Sequence, residues 1–222
     1  MTLVKGLAIA IGVMLAGVPA GAQEQQPPRV DLAEYDYENL QFRGVGMDIG
    51  RLWPSNLEET MPVRLRFDLG YLGPGVRIMP SIGYWKADVE EGEIAAFEQQ
   101  LEERSDLPPG SIELGDVEMS DFVLQVDAHF VWTTPIDLFI YVGAGAGLHM
   151  LNGQGNGIDD TFIEDLFDSV MPGVSAIGGV EYAIVDRVRV YGEAHFTVVS
   201  DILSPGVRAG AAIMLPTNAQ GD

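Results

Sequence analysis

Cysteine is absent from the 222 residues, which excludes disulfides, thiol nucleophiles and thiolate metal sites. Basic residues are scarce: 12 Lys and Arg face 33 Asp and Glu, a formal charge of -21. The basic footprint of a nucleic-acid binder is therefore missing. Histidine occurs only as His129, His149 and His195. Past the N-terminal region no apolar run approaches the roughly 20 residues of a transmembrane helix, so helical spanning is excluded. The chain holds no phosphate loop, dinucleotide fingerprint or zinc-ligand spacing.

The one long apolar run lies at the start. Residues 1–22 carry Lys5, an apolar stretch from Leu7 to Val18, and the small-residue end Ala20-Gly21-Ala22. This reads as a signal peptide cleaved before Gln23, and so as an exported protein. Its removal takes away Lys5 and no acidic residue, moving the formal charge from -21 to -22. Residues 23–39, opening Gln-Glu-Gln-Gln-Pro-Pro, are polar and are expected to form an extended periplasmic segment.

What the rest of the chain has is alternation. Residues 63–71, Val-Arg-Leu-Arg-Phe-Asp-Leu-Gly-Tyr, are apolar at every odd position and charged or glycine at every even one. Neighbouring side chains of a strand point to opposite faces, so this segment has one apolar face and one charged face. The pattern recurs in eight segments: 40–53, 63–72, 76–87, 120–133, 136–150, 173–185, 187–198 and 206–215. In 120–133, for example, Phe122, Leu124, Val126, Ala128, Phe130 and Trp132 oppose Gln125, Asp127 and His129. Lengths near ten suit a strand tilted across a bilayer. The expected fold is all-β: an eight-stranded antiparallel transmembrane β-barrel over 40–216, lipid-facing outside and polar inside, with 217–222 as a tail.

The connections support this. Gly73-Pro74-Gly75, Thr134-Pro135 and Val185-Asp186 are tight turns, while 54–62, 88–119, 151–172 and 199–205 are longer links. Short periplasmic turns alternating with long outer loops characterise outer-membrane barrels, and this order puts both termini in the periplasm. Most prolines fall at strand ends or links; Pro80, inside the third segment, is the exception and is expected to mark a bulge. Trp53, Trp85, Trp132, Tyr71, Tyr84 and Tyr182 lie near strand ends, as interfacial aromatic girdles require. Two outer loops carry helical spacing. Ile94, Phe97 and Leu101 recur in 91–104, and Phe162, Ile163, Leu166, Phe167 and Val170 recur in 161–171 behind the capping box Thr161-x-x-Glu164. Both helices are expected to lay their apolar stripe on the barrel rim.

Over about 40–216 the chain resembles the small eight-stranded outer-membrane barrels, the OmpA-like and OmpX-like families. The last strand, Arg208-x-Gly210-x-x-Ile213-x-Leu215, resembles the signal read by the barrel-assembly machinery, with Leu215 where the family ends in Phe. The resemblance implies a bacterial outer-membrane location, with outer-membrane lipid, lipopolysaccharide and the assembly machinery as partners.

An eight-stranded barrel has an interior just wide enough for side chains to fill. The inward faces carry Asp48, Arg64, Arg66, Asp68, Arg77, Asp127, Glu181, Arg187, Arg189, Glu193 and Arg208. Near balance of sign predicts a lumenal ion-pair network that plugs the barrel; the alternative is a narrow gated pore. Asp127 with His129, and Glu193 with His195, have the spacing of acid–base pairs on one strand face. His195-x-Thr197 is similar to the His-x-Ser of the lipid A deacylase barrels, with Thr in place of Ser. The reading that follows is not an enzyme, with no catalytic, cofactor or metal residue. Asn152-x-Gln154-x-Asn156-x-x-Asp159-Asp160 offers oxygen ligands but misses the EF-hand register. Between 88 and 121 acidic residues greatly outnumber the single Arg104, so the outer loops form a solvated acidic surface. A structural or interaction role through these loops is the first expectation, a narrow or apolar-ligand transport barrel the second, and a lipid-modifying enzyme the third. The sequence names no extracellular ligand.

Overall fold

Alternation closes the chain into one sheet. The computed structural model describes residues 40–73, 75–136, 138–155, 169–200 and 202–215, all within the compact unit Ala33–Asp222. The leader, the 23–39 segment and the 217–222 tail lie outside the described residues. In chain order come β1 (Gly44–Leu52), β2 (Val63–Asp68), β3 (Tyr71–Gly73), β4 (Val76–Asp88), α1 (Glu91–Arg104), β5 (Glu118–Thr133), β6 (Leu138–Gln154), β7 (Ser169–Val185), β8 (Val188–Val199) and β9 (Ile202–Met214).

Each strand pairs antiparallel with its neighbours, and β1 closes the cylinder by pairing with β2 on one side and β9 on the other. β2 and β3 both pair with β4 and form two halves of one stave, so the barrel has eight staves. The break between them has a local cause. Gly70 takes a positive φ of 75°, and its N–H donates to Asp68 Oδ1 at 2.8 Å, a side-chain turn that interrupts the ladder. Pro80 is not the centre of this irregularity. The β4–β5 register runs unbroken through Pro80↔Val126, while the β2–β4 register stops at Arg66↔Ser81, where the stave lacks a proline N–H.

The lipid-type residues face outward as expected: Met47, Ile49, Leu65, Val126, Val142, Val174, Val207 and Ile213 are exposed. Trp53, Trp132, Tyr84 and Tyr182 share that face. Trp85 and Tyr71 do not join the girdle. Trp85 is in phase with Arg77 and Ser81, turns into the lumen, and packs with Leu52, Leu57, Ala87, Met119 and Leu151. Tyr71 packs toward Val131, Tyr141 and Ile177.

Strand ends at the loop side differ from the sequence reading. β5, β6 and β7 run 16, 17 and 17 residues. At about 3.3 Å per residue and a tilt near 40°, the longest rise about 40 Å, against an apolar band of about 25 Å. One wall of the barrel therefore stands clear of the membrane. The link expected over 199–205 is instead a two-residue hairpin, because Val199 pairs with Ile202 and Thr197 with Ser204. Ser204 is buried and Pro205 exposed, so what reads as a polar loop is alternation carried one turn further.

Helix α1 forms over the residues predicted. Glu91 and Glu93 in the first turn and Arg104 in the last complement its dipole. Its stripe of Ile94, Phe97 and Leu101 packs on Val89, Ile112, Leu114 and Val117 of its own loop, rather than lying directly on the rim. The second predicted helix, 161–171, falls mostly outside the described residues; its last residues, from Ser169, belong to β7. No described helix is long and apolar enough to cross a membrane.

Candidate functional site

The inward faces meet in a layered lumen. Two apolar clusters, one of Val131, Tyr141 and Ile177 and one of Tyr191, Ala212 and Met214, interleave with a charge network. Asp48 faces Arg64 directly across β1–β2, and Arg64 Nη2 donates to Asp48 Oδ2 at 2.9 Å. Arg64 also reaches Glu193 at 3.2 Å and Asp127 at 3.5 Å. Glu193 faces Arg208 across β8–β9 and is paired with it. Glu181 gathers three guanidiniums: Arg189 at 2.8 Å, Arg77 at 3.0 Å and Arg66 at 3.2 Å. Asp68 lies 3.7 Å from Arg77. Arg66, Arg77 and Glu181 are 2%, 1% and 1% exposed.

Five arginines, Arg64, Arg66, Arg77, Arg189 and Arg208, thus face five carboxylates, Asp48, Asp68, Asp127, Glu181 and Glu193. Buried charge is tolerable only when paired and hydrogen-bonded, and here the pairing extends over β1, β2, β4, β5, β7, β8 and β9. Arg187 is the exception among the predicted members. It lies in the β7–β8 turn and is exposed, because Val185 pairs with Val188 across a register shift that leaves Asp186 and Arg187 as the turn.

Two tyrosines complete the plug. Tyr191 was not singled out from the sequence, although the inward phase of Arg189, Glu193 and His195 includes it. Its hydroxyl donates to Asp48 Oδ2 at 2.8 Å, and the Arg66 guanidinium sits 3.2 Å from its ring centroid, a desolvated cation–π contact. Tyr141 donates to Glu193 Oε2 at 2.9 Å. Each ring lies across the next stave, and a glycine makes room for it. A Cβ at Gly179 would stand 2.5 Å from the Tyr141 hydroxyl, and one at Gly210 would stand 2.6 Å from that of Tyr191.

The three histidines face inward as predicted, but neither proposed acid–base pair forms. His129 stacks on Tyr141 at 4.7 Å, with neither ring nitrogen hydrogen-bonded among the described residues; His195 leaves Nδ1 unbonded. Residues i and i+2 on one strand face point the same way and run side by side, so their tips do not meet. The carboxylate–histidine pair that does form is cross-strand: Asp121 Oδ2 lies 2.6 Å from His149 Nδ1.

Above the network a cavity of about 60 Å³ is lined by Arg64, Ser81, Gln125, His149, His195 and Thr197, among others. It has room for about two waters. The cluster of Leu52, Leu57, Trp85, Ala87, Met119 and Leu151 closes the lumen over it. Outside that seal, the α1 loop is tied to its own helix: Leu114 N–H donates to Glu98 at 2.7 Å and Ile112 N–H to Glu102 at 2.9 Å. The Ile112 bond holds the Glu102 carboxyl below the usual carboxylate range. No group of residues that could hold a metal occurs among the described residues. Asn152 and Gln154 lie on β6, and Asn156, Asp159 and Asp160 fall outside the described residues.

A closed eight-stave cylinder with an apolar outside and a paired, charged inside defines a transmembrane β-barrel of the outer-membrane class. One solved structure shares this fold. Neisserial surface protein A superposes with a TM-score of 0.53 at 14% identity, over 78% of this chain and 97% of that one. Ail, the attachment invasion locus protein of Yersinia pestis, gives 0.48 at 10% identity over 78% and 97%. The N-terminal β-barrel domain of Pseudomonas aeruginosa OprF gives 0.42 at 10% identity, again over 78% and 97%. No protein-family model and no curated protein matches the sequence. The chain has the fold of the eight-stranded integral barrels of the bacterial outer membrane.

Proposed function

We propose that this chain is a closed, non-conducting barrel of the outer membrane that acts through its surface loops and is not an enzyme. The observation that carries this is the lumen, blocked by five arginines and five carboxylates with an apolar seal above them. The neutral pairing of the network favours a plug over a pore, because a permeant ion would have to displace partners from buried charge. Glu193 is engaged by Arg64, Arg208 and Tyr141, so it is not free to orient His195 for catalysis. Both termini lie in the periplasm, and the long links 53–62 and 89–117 face outward with their acidic side chains. Binding roles concentrate on loops held by a rigid scaffold, and the 16-residue β5 carries one end of the 89–117 link above the lipid headgroups. Outer-membrane lipid and lipopolysaccharide contact the outward belt. Arg208, Gly210, Ile213 and Leu215 form the segment read by the barrel-assembly machinery, while Arg208 and Gly210 also serve the plug.

Single-channel recording of the purified protein in planar bilayers tests the reading. The expected result is a flat baseline. Reproducible conductance steps that disappear when Ser81→Phe fills the lumen would establish the channel instead.

A further inference from the structure

A second cavity, of about 410 Å³, lies at the loop end above the seal. Its floor is formed by Met119 and Leu151, which also close the lumen, and its walls include Leu57 and Ile202. Ile94 and Phe97 of α1 line it from the helix side. Such a volume, mostly apolar with a few polar groups, is in the range of small-molecule sites. The polar lining is Ser55, Asn56, Ser169 and Ser200, all neutral, together with Glu93. The loop that carries Glu93 is acidic: Asp88, Glu90, Glu91 and Glu98 are its near neighbours in sequence, against Arg104 in the last turn of α1. Lys86, exposed on the outer face of β4, is paired with Glu118 at 2.7 Å.

We propose that this cavity binds an amphiphile with a single alkyl chain and a cationic end group, arriving from the aqueous side. The apolar walls take the chain, and Glu93 with the surrounding carboxylates takes the cation. An anionic head, as on a fatty acid, meets like charge and is rejected. The seal stops the chain from passing into the lumen, so the site is a receptor pocket and not the mouth of a conduit. It goes beyond the closed-barrel reading and does not depend on whether the lumen conducts.

The test is calorimetric titration of the full-length mature protein in zwitterionic-lipid nanodiscs, with empty nanodiscs subtracted. The probes are hexyl- and octyltrimethylammonium, octanol and octanoate. Octyltrimethylammonium is expected to bind saturably, one per barrel, and at least about tenfold more tightly than octanoate at low salt, the gap shrinking as salt rises. Two further methylenes from hexyl to octyl are expected to tighten binding about fifteenfold. Glu93 is exposed, so Glu93→Lys should fold normally and lose or reverse the preference for the cation. Phe97→Asp should abolish binding of both ammonium probes while heat-modifiable gel migration is retained. Equal affinity for octanoate, unchanged preference in Glu93→Lys, or no saturable binding would each overturn the proposal.

Discussion

Replacing Glu181 by Gln tests the network at its most loaded carboxylate. The substitution keeps the shape of the side chain and removes one of five negative charges facing five guanidiniums. Glu181 holds Arg189, Arg77 and Arg66 at 2.8, 3.0 and 3.2 Å. At charge separations near 4 Å and an effective dielectric of 20, each pairing is worth about 4 kcal/mol before desolvation. Desolvation offsets most of that gross attraction, and breaking a buried pair from one side typically costs about 3–5 kcal/mol. That range is the expected loss for Glu181→Gln, read by urea unfolding from lipid vesicles with tryptophan fluorescence and gel migration as paired probes. The cause is the stranded positive charge, so removing a cation as well should repair it. Glu181→Gln with Arg77→Met is expected to recover to within about 2 kcal/mol of the parent. Arg189→Met alone should cost less than Arg77→Met alone, because the Arg189 side chain is 16% exposed and that of Arg77 only 1%. A Glu181→Gln barrel within about 1 kcal/mol of the parent, or a double variant as weak as the two singles summed, would refute the reasoning.

Val126 is 52% exposed on the outward face, beside Pro80 at the level of the plug, so Val126→Arg should destabilise the vesicle-embedded protein by about 2–4 kcal/mol; a loss under about 0.5 kcal/mol would mean that this face does not meet lipid. Brominated lipid should quench a Trp85→Phe variant strongly and a Trp53→Phe/Trp132→Phe variant weakly, since only Trp85 faces the lumen; equal quenching would contradict that placement. The lowered carboxyl of Glu102 makes a pH prediction. A group depressed in the folded state contributes fully above its unfolded value of about 4.3, and the contribution is lost as pH falls through the folded value. Protection of the Ile112 amide from hydrogen exchange is therefore expected to hold at neutral pH and to be lost only as pH falls below the ordinary carboxylate range. Glu102→Gln should flatten that dependence, and an unchanged profile would remove Glu102 as the cause.

The outward and inward faces were readable because one period of two ran through every stave, and burial of one face leaves no freedom in the phase. Arg64, Arg66, Arg77, Glu181 and Glu193 were found that way. What periodicity could not supply is which inward residues meet, since that depends on register between strands far apart in the chain. Asp121 with His149 is the example: 28 residues separate them, while the neighbouring pairs Asp127–His129 and Glu193–His195 looked better on paper. Strand ends were lost for a different reason. Above the membrane the outward face no longer needs to be apolar, so Ile202 to Pro205 and Leu151 to Gln154 read as loop although they continue the ladder. Arg187 failed at the opposite end, where a register shift turned an expected inward position into the corner of a hairpin.

The plug also bears on how such a barrel comes together. Arg64 on β2 bonds Glu193 on β8, Arg66 bonds Glu181 on β7, and Tyr191 on β8 bonds Asp48 on β1. None of these contacts exists within a hairpin of adjacent strands. A partly assembled sheet can make the adjacent-strand pairs Asp48–Arg64, Glu181–Arg189 and Glu193–Arg208, but it leaves the cross-barrel partners of these groups to water, and its inner face stays hydrated until β1 meets β9. Seam formation and drying of the interior become one event, dominated by contacts distant in sequence and correspondingly slow. The reverse holds for the finished cylinder. Opening the seam requires rewetting the buried ions together, so the native state is guarded by a high unfolding barrier and its durability is kinetic.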